Sequence, residues 1–272
     1  MGKEGSYRLL SEHKILRFNH SKSEFKPMRD LIAVEDAVSL YINNDLYAVF
    51  HCSPLQIREL VIGYLLTEGI IGKIEEILKI EISGKKIYVQ VAEENVLENN
   101  GRLKCVSTIC SGGINKLSPK ILKSAQKIKF NKIKFDIEVI FKAVKILNSK
   151  AHIFRVSGGT HAAALLNEDC ELIAFAEDIG RHNTVDKVIG EALMKKVDLS
   201  RVLLASTGRL TSEIVVKALQ AGIPILVSLS APTDKGVKLS EMFGLTLIGF
   251  ARGKRFNVYA SPARIDKAAI RH

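Results

Sequence analysis

The sequence contains no tryptophan, and aromatic residues make up only 6% of it. Proteins that bind single-stranded nucleic acids stack the bases on aromatic side chains, and no such array accompanies the basic residues of this chain. The sequence also has no run of about 20 apolar residues, the length that is needed to cross a bilayer. These absences argue against a nucleic-acid-binding protein and against a membrane protein.

The start of the chain lacks the apolar segment of a signal peptide, because residues 1–18 are interrupted by polar side chains. The interrupting residues are Lys3, Glu4, Arg8, Glu12, His13 and Lys14. We therefore expect neither a signal peptide nor a membrane anchor.

Cysteine is scarce, and Cys52, Cys105, Cys110 and Cys170 are too scattered to form a C-x-x-C pair. Such spacing suits neither a disulfide framework nor a cysteine-rich zinc site. We expect a reducing cytoplasm as the location, with Cys52 and Cys170 as packing residues.

Positive charge is abundant, with a formal net charge of +11 and a pI near 9.4. Such a balance favours acidic partners, whether nucleic acid, a phosphorylated cofactor or an acidic protein surface. Residues 116–134 contain seven lysines and no acid. We interpret this stretch as a linker or a solvated basic face.

The first half has patterns typical of antiparallel strands and one helix. Strand-like segments are residues 7–18, 30–53, 74–82 and 86–91, with turns at Asn43-Asn44-Asp45 and Ser83-Gly84-Lys85. Ser53-Pro54-Leu55-Gln56 matches a capping box with proline at the first helical position, so it predicts a helix that ends near Gly69.

In the second half, helices alternate with short apolar strands. A helix capped by Asp136 is followed by two strands around Asn167-Glu168-Asp169, and then by helix–strand units. Alternation of this kind favours an α/β layer with a largely parallel sheet covered on both faces. The order of elements resembles the cytidine-deaminase-like fold. We predict three regions: a β-rich domain over 1–115, a basic linker over 116–135 and an α/β domain over 136–272.

Polar residues of the second half fall where strands are predicted to end and helices to begin. The three segments are 177–183, 206–209 and 230–233. Free N–H groups at helix starts attract anions, and Arg181 and Arg209 could fork onto a phosphate. Ordinary helix caps are the alternative. His161 and His182 are either hydrogen-bonded to backbone carbonyls or functional groups.

A zinc-dependent deaminase would need His-x-Glu at one helix start and Pro-Cys-x-x-Cys at the next. The chain has His182-Asn183-Thr184 and 207–211 without cysteine in those places. The sequence therefore argues against hydrolytic deamination and against a zinc site.

Cys110 lies in Thr108-Ile109-Cys110-Ser111-Gly112-Gly113-Ile114, where small residues leave the sulfur open to a large partner. A buried structural cysteine is the alternative. Cys105 is the second candidate for a reactive thiol, although it lacks these small neighbours.

Long motifs of the second half resemble the FdhD/NarQ family of formate dehydrogenase accessory proteins. They are Ser157-Gly158-Gly159-Thr160-His161, Glu177-Asp178-Ile179-Gly180-Arg181-His182-Asn183-Thr184-Val185-Asp186-Lys187, Ser206-Thr207-Gly208-Arg209, Ser230-Ala231-Pro232-Thr233 and Gly249-Phe250-Ala251-Arg252. The resemblance implies an α+β protein whose C-terminal three-layer, deaminase-like domain has a mixed sheet, beside a mainly antiparallel N-terminal domain.

The resemblance also implies a function, which is that of a sulfur carrier. Such a protein accepts sulfur from a cysteine desulfurase as a persulfide and transfers it to the molybdenum bis(molybdopterin guanine dinucleotide) cofactor before formate dehydrogenase receives that cofactor. Cys110 matches the first cysteine of the family's Cys-Gly-x-Cys-Gly loop, whereas Gly113 replaces the second. A two-cysteine relay is therefore not expected.

The resemblance assigns cofactor binding to the segment Phe250, Ala251, Arg252, Gly253, Lys254 and Arg255. With the loops described above, the expected site adds Arg181, His182, Asn183, Ser206, Thr207, Gly208 and Arg209. Expected partners are the desulfurase, the catalytic subunit of formate dehydrogenase and a second copy of the chain. Two other classes stay open: a nucleotide-processing or nucleotide-binding protein on a zinc-free deaminase-like scaffold, and, more weakly, a basic nucleic-acid-binding protein.

Overall fold

A long antiparallel ribbon opens the part of the chain that the computed structural model describes, which is residues 9–92, 104–106, 128 and 132–266. Its strands are β1 (Leu10–Asn19) and β2 (Glu24–Ala33), paired in register from Leu10 opposite Ala33 to Asn19 opposite Glu24. The predicted N-terminal strand is confirmed, within three residues at its start.

A five-stranded sheet follows, with β3 (Asp36–Ile42), β4 (Asp45–Cys52), β5 (Ile77–Ser83), β6 (Lys86–Val91) and β7 (Lys104–Val106) in the order β5-β6-β3-β4-β7. The predicted β3–β4 hairpin is confirmed. Its turn residues Asn43 and Asn44 have φ values of 48° and 76°, the left-handed conformation that a two-residue hairpin turn requires. The pairings β3–β4 and β5–β6 are antiparallel, whereas β3–β6 and β4–β7 are parallel.

The helix α1 (Ile57–Thr67) starts later than the sequence pattern predicts. Its N-cap is Gln56 in the left-handed conformation, without a side-chain cap, so the predicted capping box at Ser53 is wrong. Ser53 is instead hydrogen-bonded to residues of the second half through its N–H, its hydroxyl and its carbonyl. The predicted end is confirmed, because Gly69 (φ 73°) follows the helix.

The second half is built on a six-stranded sheet of β9 (His161–Asn167), β10 (Leu172–Asp178), β11 (Val202–Ser206), β12 (Ile225–Ser228), β13 (Thr246–Arg252) and β14 (Arg255–Ala260). The order is β10-β9-β11-β12-β13-β14, and only β11–β12 and β12–β13 are parallel. The expectation of a largely parallel sheet is wrong, and the mixed sheet implied by the family resemblance is confirmed. Tight turns join β9 to β10 and β13 to β14, so the strands at both edges must run antiparallel.

Helices cover this sheet on both faces. One face packs against α2 (Ile137–Lys150), through residues such as Ala164, Leu203 and Ile225. The other packs against α4 (Arg181–Met194), α5 (Ser212–Gln220) and α6 (Asp234–Phe243), through neighbours of opposite orientation such as Leu165, Leu204 and Leu226. The short helix α3 (His152–Ser157) precedes β9, and β8 (Phe135–Asp136) pairs with β15 (Ile265–Asp266). The predicted three-layer architecture is confirmed.

Helices α1 and α4 bring the two halves into direct contact. A Cβ on Gly63 would lie 1.8 Å from the Asp186 carbonyl oxygen, and one on Gly190 would lie 1.9 Å from that of Glu59. These glycines therefore allow the two helix backbones to touch. One hydrophobic core runs through the contact and includes Phe50, Leu60 and Val188. The predicted domain boundaries stay a prediction. Within the described residues, no helix has the length and apolarity that a membrane span requires.

Candidate functional site

Three loops meet at one edge of the six-stranded sheet, where β10, β11 and β12 end and α4, α5 and α6 begin. Ser228 Oγ donates to the Gly208 carbonyl (2.6 Å), and Ser230 Oγ donates to that of Thr207 (2.9 Å). A Cβ on Gly208 would lie 2.9 Å from the Arg181 Cβ. The structure thus brings together the predicted segments 177–183, 206–209 and 230–233.

His161 lies at this edge, at the start of β9 and opposite Asp178. Its Nδ1 is 3.3 Å from Thr207 Oγ1, which also accepts a hydrogen bond from the Ala162 N–H (3.0 Å). Burial lowers the pKa of His161, and the positive charges of Arg181 and Arg209 lower it further. His161 therefore presents a neutral imidazole that is subject to the positive charges of Arg181 and Arg209.

His182 lies in the first turn of α4, and its Nε2 is 3.1 Å from Glu213 Oε2, in a direction not aligned for a hydrogen bond. Burial lowers the pKa of His182 to about 3, with further contributions from Lys217, Arg181 and His161. The ring is neutral near pH 7, so this contact joins a neutral imidazole to a carboxyl group and is no ion pair. The functional role considered for His182 stays a prediction.

The basic segment Phe250–Arg255 forms the end of the β13–β14 hairpin beside the same loops. The Phe250 N–H donates to the Ser230 carbonyl (3.1 Å), and Arg252 Nε donates to that of Leu229 (2.8 Å). A register shift between Gly249 and Arg252 places Phe250 in the left-handed conformation (φ 51°). Such bulges redirect side chains at the rim of a site. Arg252, Lys254 and Arg255 are exposed, so they are available to an anion, while Ala251 is buried.

Several motif residues have a structural role that the sequence did not reveal. Asp178 is fully buried, and Lys187 Nζ is 2.6 Å from its Oδ2. Its carboxylate also accepts hydrogen bonds from the Ser53 N–H, the Gly180 N–H and Asn183 Nδ2. Asn183 Nδ2 donates in addition to the His51 carbonyl (2.8 Å). Both N–H groups of the Asn183 amide are therefore engaged within the protein, which favours a positioning role over ligand binding.

Glu177 and Asp186 have similar structural partners. Glu177 accepts hydrogen bonds from the N–H groups of Ile153 and Phe154, at the start of α3. Asp186 is bound by Lys217 Nζ and by Thr67 Oγ1 (2.7 Å). Each of these contacts joins residues far apart in the sequence, and no local pattern indicates them. The sequence signal that could have been used is the placement of charged Asp186 and Lys187 within a helix whose neighbours Val185, Val188 and Ile189 are all apolar.

The structure describes the side chains of Cys52 and Cys170 but not those of the two candidate reactive cysteines. Cys110, the predicted sulfur carrier, lies outside the described residues, as does the side chain of Cys105. Cys52 is fully buried, and burial together with Asp178 raises the pKa of its thiol to about 12. Burial also raises the pKa of the Cys170 thiol. Both fit the packing role that the sequence predicts. Among the described side chains, no three of His, Cys, Asp or Glu come together to hold a metal ion.

Strand β7 of the first half runs towards the edge of the six-stranded sheet where the three loops meet. It runs parallel to β4, and Val106 at its end is opposite Phe50. Three residues beyond Phe50, the Ser53 N–H donates to the Asp178 carboxylate (3.0 Å). The end of β7 at Val106 therefore lies on the same side of the sheet as the contact with the β10–α4 loop.

The model of the FdhD/NarQ family matches residues 33–266. The chain belongs to the FdhD/NarQ family. It is 34% identical to the sulfur carrier protein FdhD of Wolinella succinogenes over 246 residues, which cover 89% of this chain and 85% of that protein. It is 37% identical to the sulfur carrier protein FdhD of Sulfolobus acidocaldarius over 241 residues, with coverages of 87% and 92%.

The fold is also similar to a solved structure from Desulfotalea psychrophila, whose description as a formate dehydrogenase accessory protein is provisional. The TM-score is 0.77 at 25% sequence identity, and the match covers 95% of this chain and 100% of the other. The FdhD/NarQ resemblance read from the motifs is thus confirmed. Since the family match spans both halves, it includes the N-terminal sheet as well as the motif-rich second half.

Proposed function

We propose that this protein is a sulfur carrier that serves formate dehydrogenase. Cys110 accepts sulfur from a cysteine desulfurase as a persulfide, in the cytoplasm, and transfers it to the molybdenum bis(molybdopterin guanine dinucleotide) cofactor. Relatives that carry the name sulfur carrier protein FdhD, at 34% and 37% identity, support the general role.

The observation that carries the proposal is the direction of β7. Cys110 is the fourth residue after Val106, and four residues of extended chain span at most about 14 Å. β7 ends beside β4, and β4 leads to Ser53, whose N–H donates to Asp178 in the loop before helix α4. In our proposal, the sulfur on Cys110 meets a ligand held at the edge of the second sheet.

The acceptance step is a thiol exchange. The Cys110 thiolate attacks the terminal sulfur of the desulfurase persulfide, a new S–S bond forms, and the desulfurase cysteine leaves as a thiolate. No oxidant or reductant is consumed, because one persulfide replaces another. Gly113 stands where a second cysteine could have displaced the sulfur. Release from Cys110 therefore requires the acceptor itself.

The acceptor is anionic, and the charges at the loop edge suit it. The charges of Arg181 and Arg209 act on the neutral His161, and Arg252, Lys254 and Arg255 extend from the adjoining hairpin. One guanidinium group can donate two parallel hydrogen bonds to the oxygens of a phosphate. The amino ends of α4, α5 and α6 add N–H groups that favour negative charge. The pyrophosphates of a guanine dinucleotide would engage these groups.

The test is intact-mass analysis of the protein after incubation with a cysteine desulfurase and cysteine. We expect the gain of one sulfur atom, lost again on reduction, and peptide mapping should place it on Cys110. Cys110→Ala should abolish the gain, and the matched control Cys170→Ser should retain it. A sulfur found on Cys105 would contradict the assignment to Cys110.

A second measurement distinguishes loss of sulfur transfer from loss of cofactor binding. In a host lacking its own copy of this protein, Cys110→Ser should fail to restore formate dehydrogenase activity, while the purified variant should bind a guanine nucleotide as tightly as the unaltered protein. Restored activity with Cys110→Ser would refute the proposal. Turnover of the nucleotide without any sulfur uptake would favour a nucleotide-processing enzyme instead.

A further inference from the structure

The imidazole of His161 is held through one of its ring nitrogens. Its Nδ1 is 3.3 Å from Thr207 Oγ1, at the sheet edge where the three loops meet. The Ala162 N–H donates to the same hydroxyl oxygen (3.0 Å), so Thr207 is fixed in turn by β9. Within the described part of the chain, no hydrogen bond engages His161 Nε2, and the side chain is half-buried. This nitrogen is therefore available to a ligand.

The acids of β10 that lie nearest to His161 are engaged elsewhere. Asp178 is opposite His161 in the strand pairing, but its carboxylate lies 2.6 Å from Lys187 Nζ and accepts from the Ser53 N–H. Asp178 raises the pKa of His161 by less than either Arg181 or Arg209 lowers it. Glu177, the next acid on β10, is bound by the N–H groups at the start of α3. Neither carboxylate therefore keeps the imidazole protonated.

The charges of the two helix starts that act on His161 are positive. Arg181 begins α4, and Arg209 lies in the loop before α5. Burial is the largest cause of the lowered pKa of His161, and these guanidinium groups add to it. His182, whose own pKa is about 3, is neutral, and Glu213 lies against His182 (3.1 Å). An anion that pairs with the two arginines would therefore reverse the sign of the charge that acts on the imidazole.

From this arrangement, we propose that His161 is a ligand-binding residue that takes up one proton from solvent when a pyrophosphate binds at the loop edge. In the imidazolium form, Nδ1–H donates to Thr207 Oγ1 and Nε2–H donates to a phosphate oxygen. Thr207 can accept that bond, because its own hydroxyl proton has the Ala162 carbonyl as acceptor (3.4 Å). The inference rests on the proposed function, since it takes the pyrophosphate of the cofactor as the anion that pairs with Arg181 and Arg209.

Pyrophosphate binding and protonation of His161 are then linked. Because the bound anion favours the protonated imidazole, a lower pH favours binding of the anion by the same free energy. The affinity therefore rises as the pH falls through the range in which the ligand-free imidazole is neutral and the bound one is charged. For the uptake of one proton, the dissociation constant falls by at most about tenfold per pH unit.

The test uses the full chain and diguanosine diphosphate, in which two guanosines are joined through one pyrophosphate. Each phosphate of this probe is a diester with a fixed negative charge, so the probe itself does not titrate near neutral pH. Isothermal titration calorimetry at pH 6 and pH 8, in buffers of different ionisation enthalpy and equal ionic strength, measures both affinity and proton uptake. We expect proton uptake on binding and a dissociation constant roughly threefold to tenfold lower at pH 6. In NMR spectra at pH 7, the ring nitrogens of His161 should shift towards imidazolium values when the probe is added.

Two variants distinguish protonation from a structural contribution of the ring. His161→Gln retains a hydrogen-bonding side chain that cannot be protonated, so proton uptake and the pH dependence of the affinity should both be lost. His161→Arg carries a fixed charge, so it should bind the probe more tightly at pH 8 than the unaltered protein does, and without proton uptake. His20→Gln, at the exposed turn of the ribbon, is the matched control and should behave as the unaltered protein.

The possible failures of this inference and of the proposed function give different results. Binding with equal affinity at pH 6 and pH 8, or proton uptake that persists in His161→Gln, would overturn the role of His161 and leave the cofactor site standing. Failure of the probe to bind at either pH would overturn both the role of His161 and the cofactor site at this edge. Sulfur uptake by Cys110 is measured without the probe, so neither result affects the carrier function.

Discussion

At the scale of single residues, the environment of Cys52 determines its reactivity. Its thiol is fully buried near the negative charge of Asp178, and its pKa of about 12 keeps it protonated. Since the thiolate is the reactive form, we predict that Cys52 resists iodoacetamide near pH 8 in the native protein and reacts after unfolding. Mass spectrometry of the alkylated peptides measures both states.

A buried, protonated Cys52 thiol is also not expected to take part in sulfur uptake. Cys52→Ala should retain sulfur uptake, because the thiol takes no part in it. Alkylation of native Cys52 at the rate of the unfolded chain would show that its sulfur is accessible. Loss of uptake in a folded Cys52→Ala variant would show that the thiol takes part in sulfur transfer.

His182 makes stability depend on pH. Its folded pKa of about 3 lies below the ordinary histidine pKa of 6.5, so between these values the unfolded chain binds a proton that the folded chain does not. Stability from the neutral ring is complete above about pH 6.5 and decreases as pH falls towards 3. The decrease is at most about 1.4 kcal/mol per pH unit for one group.

We predict that His182→Gln flattens the decline of unfolding free energy between pH 7 and pH 5. Urea denaturation at both pH values measures the slope. His20→Gln, at an exposed position of the ribbon turn, is the control and should leave the slope unchanged. An unchanged slope in His182→Gln would mean that the buried ring is not the titrating group.

At the scale of elements, the contact between α1 and α4 depends on two glycines. Gly63→Ala would put a methyl group 1.8 Å from the Asp186 carbonyl oxygen, which is backbone and cannot rotate away. The helices must separate, and we predict a loss of about 2 kcal/mol or more in unfolding free energy. Gly190→Ala should behave alike. Gly72→Ala is the control, since its Cβ would meet only the flexible Glu76 side chain, at 3.3 Å. Equal stability of Gly63→Ala and Gly72→Ala would contradict this close approach.

Local signals predicted most elements, and they failed where a distant group competed. The Asn43-Asn44 turn and the Asp136 cap act within a few residues, and both are present: Asp136 Oδ1 accepts from the Glu138 N–H (2.7 Å). Ser53-Pro54 is an equally good local signal for a helix start. There, however, the Ser53 hydroxyl is bound by the Ile179 N–H, 126 residues away, and the helix starts at Ile57. A pattern of neighbouring residues contains no information about such a competitor.

The contacts of the candidate site also divide into those that local sequence signals predict and those that depend on distant residues. Because strand ends and helix starts can be read from the sequence, the meeting of Arg181 with the Gly208 loop was predictable. The pairing of His182 with Glu213, and the engagement of Asn183 by His51 and Asp178, were not, since they depend on how α4 is rotated against α5 and β4.

At the scale of the whole molecule, the Asp178–Lys187 pair ties the two halves together at Ser53. Both side chains are fully buried, with 2.6 Å between Nζ and Oδ2. Removing one partner leaves an uncompensated buried charge, and we predict that Lys187→Met costs about 3–5 kcal/mol of unfolding free energy. Denaturant titration followed by circular dichroism measures it.

A matched control exists for this prediction. Lys195 and Glu191 are also 2.6 Å apart but more exposed, so Lys195→Met should cost less than about 1 kcal/mol. The double variant Asp178→Asn with Lys187→Met should recover part of the loss, because no charge is then buried. Equal losses for Lys187→Met and Lys195→Met would show that burial does not strengthen the first pair.

The attachment of Ser53 to Asp178 also constrains the order of events during synthesis. These residues are 125 positions apart, and the Ser53 N–H has Asp178 Oδ2 as its acceptor. At about 5–20 residues per second, the ribosome adds that length in roughly 6–25 s. During this interval, the Ser53 N–H at the end of β4 lacks its acceptor, the Asp178 carboxylate. The nascent first half must therefore remain open at β4, and the region around the loops that begin α4, α5 and α6 is completed only after β10 and α4 have emerged.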